Sequence, residues 1–225
     1  MILIPRLYAI IDSTAHSNTE YLAAFAQELV AAGCTLLQYR NKSGNARVML
    51  EQARELGRVR RQNPHFSQRQ GEMGHPYSDR TGNSVRLIMN DRADLCLAAD
   101  FDGVHVGQDD LSPEAVRAII GPDRWLGVST HNPEQLREAD LTSADYLAIG
   151  PVFATSSKEK PDPVVGLDGV RRARALTQKP LVAIGGITRA NAASVIEAGA
   201  DSVAVISDLL RDPRKSAEEF FRILR

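Results

Sequence analysis

The sequence predicts an α/β fold, a single (β/α)8 (TIM) barrel, from three observations. Short apolar runs alternate with longer amphipathic stretches, and eight such units in about 220 residues fit a closed parallel barrel. Several runs are almost continuously apolar, as strands buried on both faces must be. Polar residues follow seven of the eight runs, whereas an open doubly wound sheet normally concentrates them at one switch point. We therefore expect one barrel domain over residues 1–225, with the open sheet as the alternative.

The predicted strands are the apolar runs at 6–11, 35–39, 86–89, 103–106, 125–128, 146–149, 181–184 and 202–206. Helices are expected between them. The first helix is predicted from an apolar stripe at helical spacing, formed by Leu22, Phe25, Ala26, Leu29 and Val30. The capping-box pair Ser17 and Glu20 marks its start, and Gly33 marks its end. Three later helices are expected to begin where a capping residue precedes proline, at Ser112-Pro113, Asn132-Pro133 and Asp212-Pro213.

Two segments are predicted to face solvent. Residues 46–62 form a helix whose many charges, spaced three apart, indicate a solvated outer face. Residues 63–85 are polar, rich in turn formers and without helical or strand period, and we interpret them as a flexible surface insertion. It lies between the second helix and the third strand, on the side of the barrel opposite the active face. His65 and His75 are expected to be solvated loop residues there.

Composition excludes several classes of protein. Twenty-seven basic and twenty-eight acidic side chains give a net charge of -1, so no concentrated positive surface is available for nucleic acid. Cys34 and Cys96 have neither metal-type spacing nor a disulfide framework, and we expect buried reduced thiols. No apolar run approaches the roughly 20 residues of a membrane span. The expectation is a soluble cytoplasmic protein that binds small molecules, and assembly into a homo-oligomer is compatible with the sequence.

Charged side chains follow the predicted strands, at the end of the barrel where the chemistry of this fold is found. Three of them, Arg40, Lys42 and Lys158, carry permanent positive charge and would converge at the barrel mouth. Arginine binds a phosphate through two parallel hydrogen bonds, and lysine supplies a compact charge. Each residue alone is also typical of a surface loop. The three together predict a polyanionic ligand.

Acidic residues at the same end are of the type that binds a hard divalent cation. Magnesium typically takes one or two protein carboxylates and fills its other positions with water and phosphate oxygens. Asp91 follows the third strand, although it is also placed to cap a helix beginning near Arg92. After the fourth strand, spacing does not decide whether Asp109 or Asp110 points inward.

A phosphate site is predicted after the last two strands. Gly185-Gly186 follows strand seven and Ile206-Ser207 ends strand eight, as in the usual phosphate cradle of such barrels. Glycine lets backbone amides approach phosphate oxygens, and the next helix presents its positive end. The residues thus suggest two anionic regions, one with cations and a metal and one with backbone amides.

At this point the sequence resembles the thiamine phosphate synthase family over essentially the whole chain from Arg6 to Leu224, except 63–85. The matching motifs are Gln38-x-Arg40-x-Lys42, Asn90-Asp91-Arg92, GVHVGQDD from Gly103, GVSTH from Gly127, DYLAIGPVFATSSK from Asp145, AIGGI from Ala183 and AVIS from Ala204. Together and in this order the motifs are highly specific. Asn41 departs from the family, which commonly has an acidic residue there.

The resemblance implies a role for each of these positions. The pyrimidine diphosphate would be held by Gln38, Tyr39, Arg40, Asn41, Lys42, Asn90 and Lys158. Mg2+ would be held on the pyrophosphate by Asp91 and Asp110, which selects Asp110 over Asp109, and Ser129 would reach the pyrimidine or the leaving group. The thiazole phosphate would be received by Thr155, Ser156, Ser157, Gly186, Ile206 and Ser207. Arg40, Lys42, Ser129 and Lys158 would be the catalytic residues.

The implied reaction is a dissociative substitution that releases pyrophosphate and needs no general base. His105 and His131 are accordingly interpreted as a hydrogen-bonded strand residue and a loop residue near the mouth. Two alternatives stay open. A thiazole tautomerase of the same superfamily would use His131 for proton transfer without magnesium, and a non-catalytic phosphate-ligand sensor would bind thiazole phosphate without turnover.

Overall fold

Eight parallel strands close into a barrel in chain order. The computed structural model describes residues 2–14, 18–62, 84–155 and 162–225. Each strand pairs with its neighbours in sequence, and β1 also pairs with β8, which closes the ring. The strands are β1 Leu7–Asp12, β2 Leu36–Arg40, β3 Arg86–Asn90, β4 Gly103–Val106, β5 Trp125–Thr130, β6 Tyr146–Ile149, β7 Leu181–Ile184 and β8 Ser202–Val205. The predicted closed barrel is confirmed, and the open-sheet alternative is wrong.

Helices of the described residues follow the strands and lie around the barrel. They are α1 Thr19–Ala31, α2 Ala46–Gln62, α3 Ala93–Ala98, α4 Pro113–Ile120, α5 Pro133–Asp140, α6 Gly166–Leu176, α7 Ala192–Glu197 and α8 Pro213–Ile223, with a 3-10 turn at Ser207–Leu209. None of them combines the length and apolar character that a membrane crossing requires.

The predicted proline-marked helix starts are confirmed by their capping geometry. Side-chain oxygens of Ser112, Asn132 and Asp212 each accept from a backbone amide in the first turn. Helix α1 differs from the prediction, because Asn18 is its N-cap and accepts from the amide of Glu20. The predicted cap Ser17 lies outside the described residues.

Two apolar layers result from the alternation of side chains along each strand. Inside the barrel, Tyr8, Ile10, Leu36, Ile88, Trp125, Tyr146 and Val182 form one cluster. The opposite strand faces pack against the helices in a larger cluster that includes Cys34 and Cys96, both of which are free thiols. Because both faces are covered, the strands hold the residues at their ends in fixed positions.

The predicted surface insertion falls mostly on residues 63–83, which lie outside the described residues, as do His65 and His75. Its predicted end at residue 85 is wrong, because Val85 is buried in the cluster between strands and helices. Val85 directly precedes β3, and an apolar side chain at the start of a strand gains from that burial.

Candidate active site at the carboxyl end of the barrel

Three residues predicted to bind diphosphate and metal meet beyond the ends of β2, β3 and β4. The Lys42 Nζ lies 2.5 Å from Asp91 Oδ2, and the carboxyl group of Asp110 lies close enough to Asp91 for the Asp91 charge to act on it. Asp110 Oδ2 also accepts from the backbone amide of Gly107 at 2.8 Å. Asp91 and Asp110 are 49 and 68 positions from Lys42 along the chain, and the pairing of β2 with β3 and of β3 with β4 brings the three residues to one end.

The carboxyl group of Asp91 affects the ionisation of Asp110. Partial burial raises the pKa of Asp110, and the neighbouring negative charge of Asp91 raises it further. The Gly107 amide and the Lys42 ammonium act in the opposite direction. Two carboxylates that share a site favour a proton or a cation between them.

Asp91 has an unusual backbone conformation for a residue with a side chain. Its φ is 62°, in the left-handed region, where such strain recurs at functional sites. It does not cap helix α3, whose N-cap is Arg92. The capping alternative for Asp91 is therefore wrong, and its carboxylate instead meets Lys42.

Arg40 is held by an acidic residue that the sequence analysis overlooked. Its guanidinium pairs with Asp12 at the end of β1, the strand that pairs directly with β2. Asp12 is 5 % exposed and also accepts from the amide and hydroxyl of Thr14 at 2.9 and 2.6 Å. A carboxylate that ends an otherwise apolar strand was the available signal. Asp12 thus orients Arg40 toward the end of the barrel.

Asn90, at the end of β3, carries an unsatisfied donor. The residue is 9 % exposed, and its Nδ2 has no hydrogen-bond partner among the described residues. A buried amide without a partner costs about 1–3 kcal/mol. Such groups are rare in folded proteins and call for a functional explanation. A bound acceptor such as a phosphate oxygen would satisfy it.

Ser129, near the end of β5, is held by two neighbours. His105 Nε2 lies 2.8 Å from its hydroxyl, and Gln108 donates to its carbonyl at 2.7 Å. Burial lowers the pKa of His105 to about 4, with a smaller opposing effect from Asp110. The imidazole is therefore neutral near pH 7, as the sequence interpretation of a hydrogen-bonded strand histidine expects.

Two predicted ligand residues, Tyr39 on β2 and Asn41 just after it, turn away from this cluster. Tyr39 donates to Gln52 of α2 at 2.5 Å, and Asn41 donates to Gln52 at 2.9 Å and to the Tyr39 hydroxyl at 3.0 Å. Gln38 and Arg40 alternate with them and face the barrel interior and mouth. The structure therefore does not bring the Tyr39 and Asn41 side chains together with the other predicted site residues.

The predicted phosphate cradle lies where the loops after β6, β7 and β8 meet. Gly186 has φ +64°, and a Cβ there would lie 2.5 Å from the carbonyl oxygen of Ala154, so only glycine fits without displacement. Beside the predicted Ile206 and Ser207, Arg189 binds Asp208 through Nε at 3.0 Å and Nη2 at 3.1 Å. This pair ties the loop after β7 to the loop after β8.

The remaining predicted positions lie on the loops after β5 and β6. Thr155 is partly buried at the end of the described part of the loop after β6, whereas Ser156, Ser157 and Lys158 lie outside the described residues. His131 Nδ1 is 2.6 Å from the carbonyl oxygen of Gly150, and its Nε2 is 3.5 Å from Asp162. His131 thus joins the loop after β5 to the loop after β6.

A closed barrel with this cluster of charged and amide groups at its carboxyl end has the architecture of a (β/α)8-barrel enzyme. Residues 77–209 match the family model described as thiamine monophosphate synthase. A thiamine-phosphate synthase of Koribacter versatilis is 58 % identical over 224 residues, which cover 98 % of this chain and 96 % of that protein. One from Chloroflexus aurantiacus is 42 % identical and covers 90 % of this chain and 83 % of that protein.

A solved structure agrees with these relatives. Thiamine phosphate pyrophosphorylase from Pyrococcus furiosus superposes with a TM-score of 0.78 at 30 % identity, covering 97 % of this chain and 95 % of that one. The chain belongs to the thiamine monophosphate synthase family, and it is a transferase of thiamine biosynthesis. The resemblance noted from the sequence motifs is thereby confirmed.

Proposed function

We propose that this protein is a thiamine phosphate synthase. It joins 4-amino-2-methyl-5-hydroxymethylpyrimidine diphosphate to 4-methyl-5-(2-hydroxyethyl)thiazole phosphate, or to the carboxylated form of that thiazole, and releases pyrophosphate. The observation that carries the proposal is the Lys42–Asp91 ion pair with Asp110 close to it, together with the buried Nδ2 of Asn90, which has no hydrogen-bond partner among the described residues. A diphosphate with a divalent cation supplies the charges and acceptors that this cluster needs.

The donor set fits Mg2+. Asp91 and Asp110 place two carboxyl groups close together, and among the described ranges no three His, Cys, Asp or Glu side chains form a ready metal cage. Magnesium commonly binds one or two carboxylates and completes its shell with substrate phosphate and water. When bound, the ion would neutralise charge on the pyrophosphate leaving group. Asp91 and Asp110 would hold it.

The chain's own residues bind and orient the diphosphate. Arg40, fixed by Asp12, and Lys42 would contact its oxygens, and Asn90 Nδ2 would donate a hydrogen bond to it. We extend the same role to Lys158. In the dissociative route, the bond from the pyrimidine methylene carbon to the pyrophosphate oxygen breaks first, and the leaving group takes the electron pair. Preorganised donors around that growing charge are usually the largest catalytic contribution.

The two ring systems would occupy neighbouring parts of the mouth. Ser129 and Gln38 would contact the pyrimidine, and Thr155, Ser156, Ser157, Gly186, Ile206 and Ser207 would receive the thiazole phosphate. The thiazole nitrogen carries its own lone pair and captures the pyrimidine-stabilised cation, so no general base is required. Burial and the contact with Gly150 give His131 a positioning role between loops rather than one in proton transfer.

The proposal extends to the setting of the enzyme. Cys34 and Cys96 are buried free thiols, which suits the reducing conditions of the cytoplasm. We accordingly propose a cytoplasmic enzyme that comprises one barrel domain.

The test uses purified protein, both substrates, and buffer with or without Mg2+. Thiamine phosphate and pyrophosphate are expected in equal amounts and only with the metal. Asp110→Asn should reduce kcat/KM by about 10²–10³, the loss typical of one preorganised electrostatic contact. Asp109→Asn, a change of the same kind at the neighbouring exposed residue, should leave the rate within about twofold.

Other outcomes would overturn the proposal in distinguishable ways. Isomerised thiazole without pyrophosphate would identify a tautomerase. Binding of thiazole phosphate without any turnover would identify a sensor. Equal losses in Asp109→Asn and Asp110→Asn would remove the assignment of Asp110 as a metal ligand.

A further inference from the structure

A chain of hydrogen bonds crosses the inside of the barrel and connects two predicted pyrimidine contacts. Gln38 Nε2 donates to the Tyr8 hydroxyl at 2.8 Å, which lies 3.0 Å from the Tyr146 hydroxyl. The Tyr146 hydroxyl lies 3.1 Å from His105 Nδ1, and His105 Nε2 lies 2.8 Å from Ser129 Oγ. The chain runs through β2, β1, β6, β4 and β5. We call it the interior relay.

The packing of the barrel is built around the interior relay. Tyr8 and Tyr146 are at most 1 % exposed, and His105 is 7 % exposed. Gly127 faces this layer, and a Cβ there would lie 2.2 Å from the Tyr146 ring and 2.4 Å from His105 Nδ1. Glycine at position 127 therefore leaves the space that the rings of Tyr146 and His105 occupy. Three polar groups in an otherwise apolar interior need this mutual hydrogen bonding to offset their desolvation.

The relay has a direction because one end can only donate. The Gln38 Nε2 has hydrogens and no lone pair available for hydrogen bonding, so the Tyr8 oxygen accepts from it. When the hydroxyl hydrogen of Tyr8 goes to Tyr146 and that of Tyr146 goes to His105 Nδ1, each tyrosine hydroxyl both accepts and donates one hydrogen bond. A neutral imidazole with an accepting Nδ1 carries its hydrogen on Nε2. In this arrangement His105 donates to Ser129.

We propose that Tyr8, Tyr146 and His105 are positioning residues that make the Ser129 hydroxyl a hydrogen-bond donor toward the bound substrate. Since Ser129 Oγ already accepts from His105, its own hydrogen is directed to a substrate acceptor. Under the proposed function, on which this inference rests for the identity of the ligand, that acceptor is a ring nitrogen or phosphate oxygen of the pyrimidine diphosphate.

The direction of the relay can be measured without any substrate. Protein labelled with 15N-histidine is examined by long-range 1H–15N correlation spectroscopy, and His105 is assigned from its absence in the spectrum of His105→Gln. The relay predicts a protonated Nε2 and an unprotonated Nδ1. A protonated Nδ1 would mean that His105 donates to Tyr146 and that its Nε2 accepts from Ser129, and it would overturn the proposal.

Two amide variants of His105 test the consequence for binding. An amide nitrogen at the end of glutamine reaches the position of Nε2, whereas that of asparagine ends near Nδ1. His105→Asn should raise the KM for the pyrimidine diphosphate about tenfold, equivalent to one net hydrogen bond. His105→Gln should stay within about threefold of wild type, and the KM for thiazole phosphate should change in neither variant.

The proposal would be contradicted if the KM for the pyrimidine diphosphate were equal in His105→Asn and His105→Gln, or if the KM for thiazole phosphate rose equally. Either result would indicate that His105 has only a structural role. Failure of the proposed function gives a different result. In that case wild-type protein forms no thiamine phosphate, while the histidine spectrum still reports whether the relay donates to Ser129. Should His105→Asn not fold, the tautomer of the wild-type ring decides the question by itself.

Discussion

The two ends of the barrel treat their charged residues in opposite ways. At the amino-terminal end, an aspartate just before an even-numbered strand accepts from a backbone amide of the preceding strand and from an arginine on a helix. The same arrangement occurs three times in the described part of the chain, with Arg60 and Asp102, Arg117 and Asp145, and Arg174 and Asp201. Every carboxylate there has an opposite charge and a backbone donor.

The carboxyl-terminal end also has ion pairs, such as Arg40 with Asp12 and Lys42 with Asp91, but it combines them with like charges close together. Asp91 lies close enough to Asp110 to raise the pKa of that residue, and Asp91 occupies a left-handed backbone conformation. Asn90 keeps a buried donor unpaired among the described residues. Groups of this kind lower stability unless something binds to them.

The difference between the two ends indicates that one end stabilises the fold and the other binds the ligand. At the amino-terminal end, the three aspartates are each paired with an arginine and a backbone amide, so these pairs stabilise the fold. Polar groups at the carboxyl-terminal end are left for a ligand, so they serve binding and chemistry. This is the distribution expected for a barrel whose active site lies at the strands' carboxyl ends.

The largest effect on stability is expected from removing one carboxylate at the amino-terminal end. Asp102→Ala leaves the Arg60 guanidinium, whose side chain is only 8 % exposed, without its 2.7 Å partner. Breaking a buried pair from one side typically costs about 3–5 kcal/mol. The free energy of unfolding in urea measures this loss.

A matched control is the exposed pair of Arg171 and Asp168, whose side chains are 59 % and 76 % accessible. Asp168→Ala should lower the free energy of unfolding by no more than about 0.5 kcal/mol, because solvent screens such pairs. If Asp102→Ala and Asp168→Ala lowered the free energy of unfolding by similar amounts, burial would not be what makes the arginine–aspartate pairs at the amino-terminal end stabilising.

Asp91→Asn should have the opposite profile. It removes one of two adjacent like charges and an ion pair whose lysine is half exposed, so the free energy of unfolding should change by less than about 1 kcal/mol. The rate should nevertheless fall by about 10²–10³, because a metal ligand is lost. Steady-state rates and urea unfolding on one preparation test both statements. A variant with normal turnover whose free energy of unfolding falls by several kcal/mol would show that Asp91 stabilises the fold and does not serve catalysis.

His105 lies between the two ends and predicts a pH dependence of stability. Burial lowers its folded-state pKa to about 4, from an ordinary value of 6.5. Between these values the unfolded chain binds a proton that the folded protein excludes, so stability falls as pH drops from about 6.5 to about 4. At about 1.4 kcal/mol per pKa unit, the loss from this residue approaches about 3 kcal/mol.

The contribution of His105 is isolated by comparing wild type with His105→Gln. Urea unfolding at several pH values should give a difference between the two proteins that changes between pH 4 and 6.5 and is flat above that range. Parallel curves for the two proteins across the whole range would contradict a buried neutral imidazole.

Much of the barrel and part of its site were predictable from local sequence patterns. Apolar runs gave every strand to within one or two residues, and capping residues before proline gave three helix starts. The predicted site residues Asn90, Asp91 and Ser129 lie at or just beyond the carboxyl ends of β3 and β5. These predictions succeed because strand and helix periods depend on residues only a few positions apart.

Other features were missed because they depend on which face a side chain takes. Tyr39 and Asn41 were predicted to bind the ligand because they stand in the same motif as Arg40. Side chains alternate along a strand, however, and these two point toward Gln52 of α2. Asp12 escaped notice because its partner Arg40 is 28 positions away. The recurring aspartate before an even-numbered strand is visible in the sequence, but its arginine partner lies on a helix whose packing no local pattern specifies.

The sequence by itself determined the order of strands and helices, the closed parallel barrel and the family. Only the tertiary structure decided that Asn90 Nδ2 has no partner among the described residues and that Tyr8 meets Tyr146 across 138 positions of chain. The physical reason is that periodicity is a local property of the chain. Contacts across the barrel instead depend on closure and register, which no short segment contains.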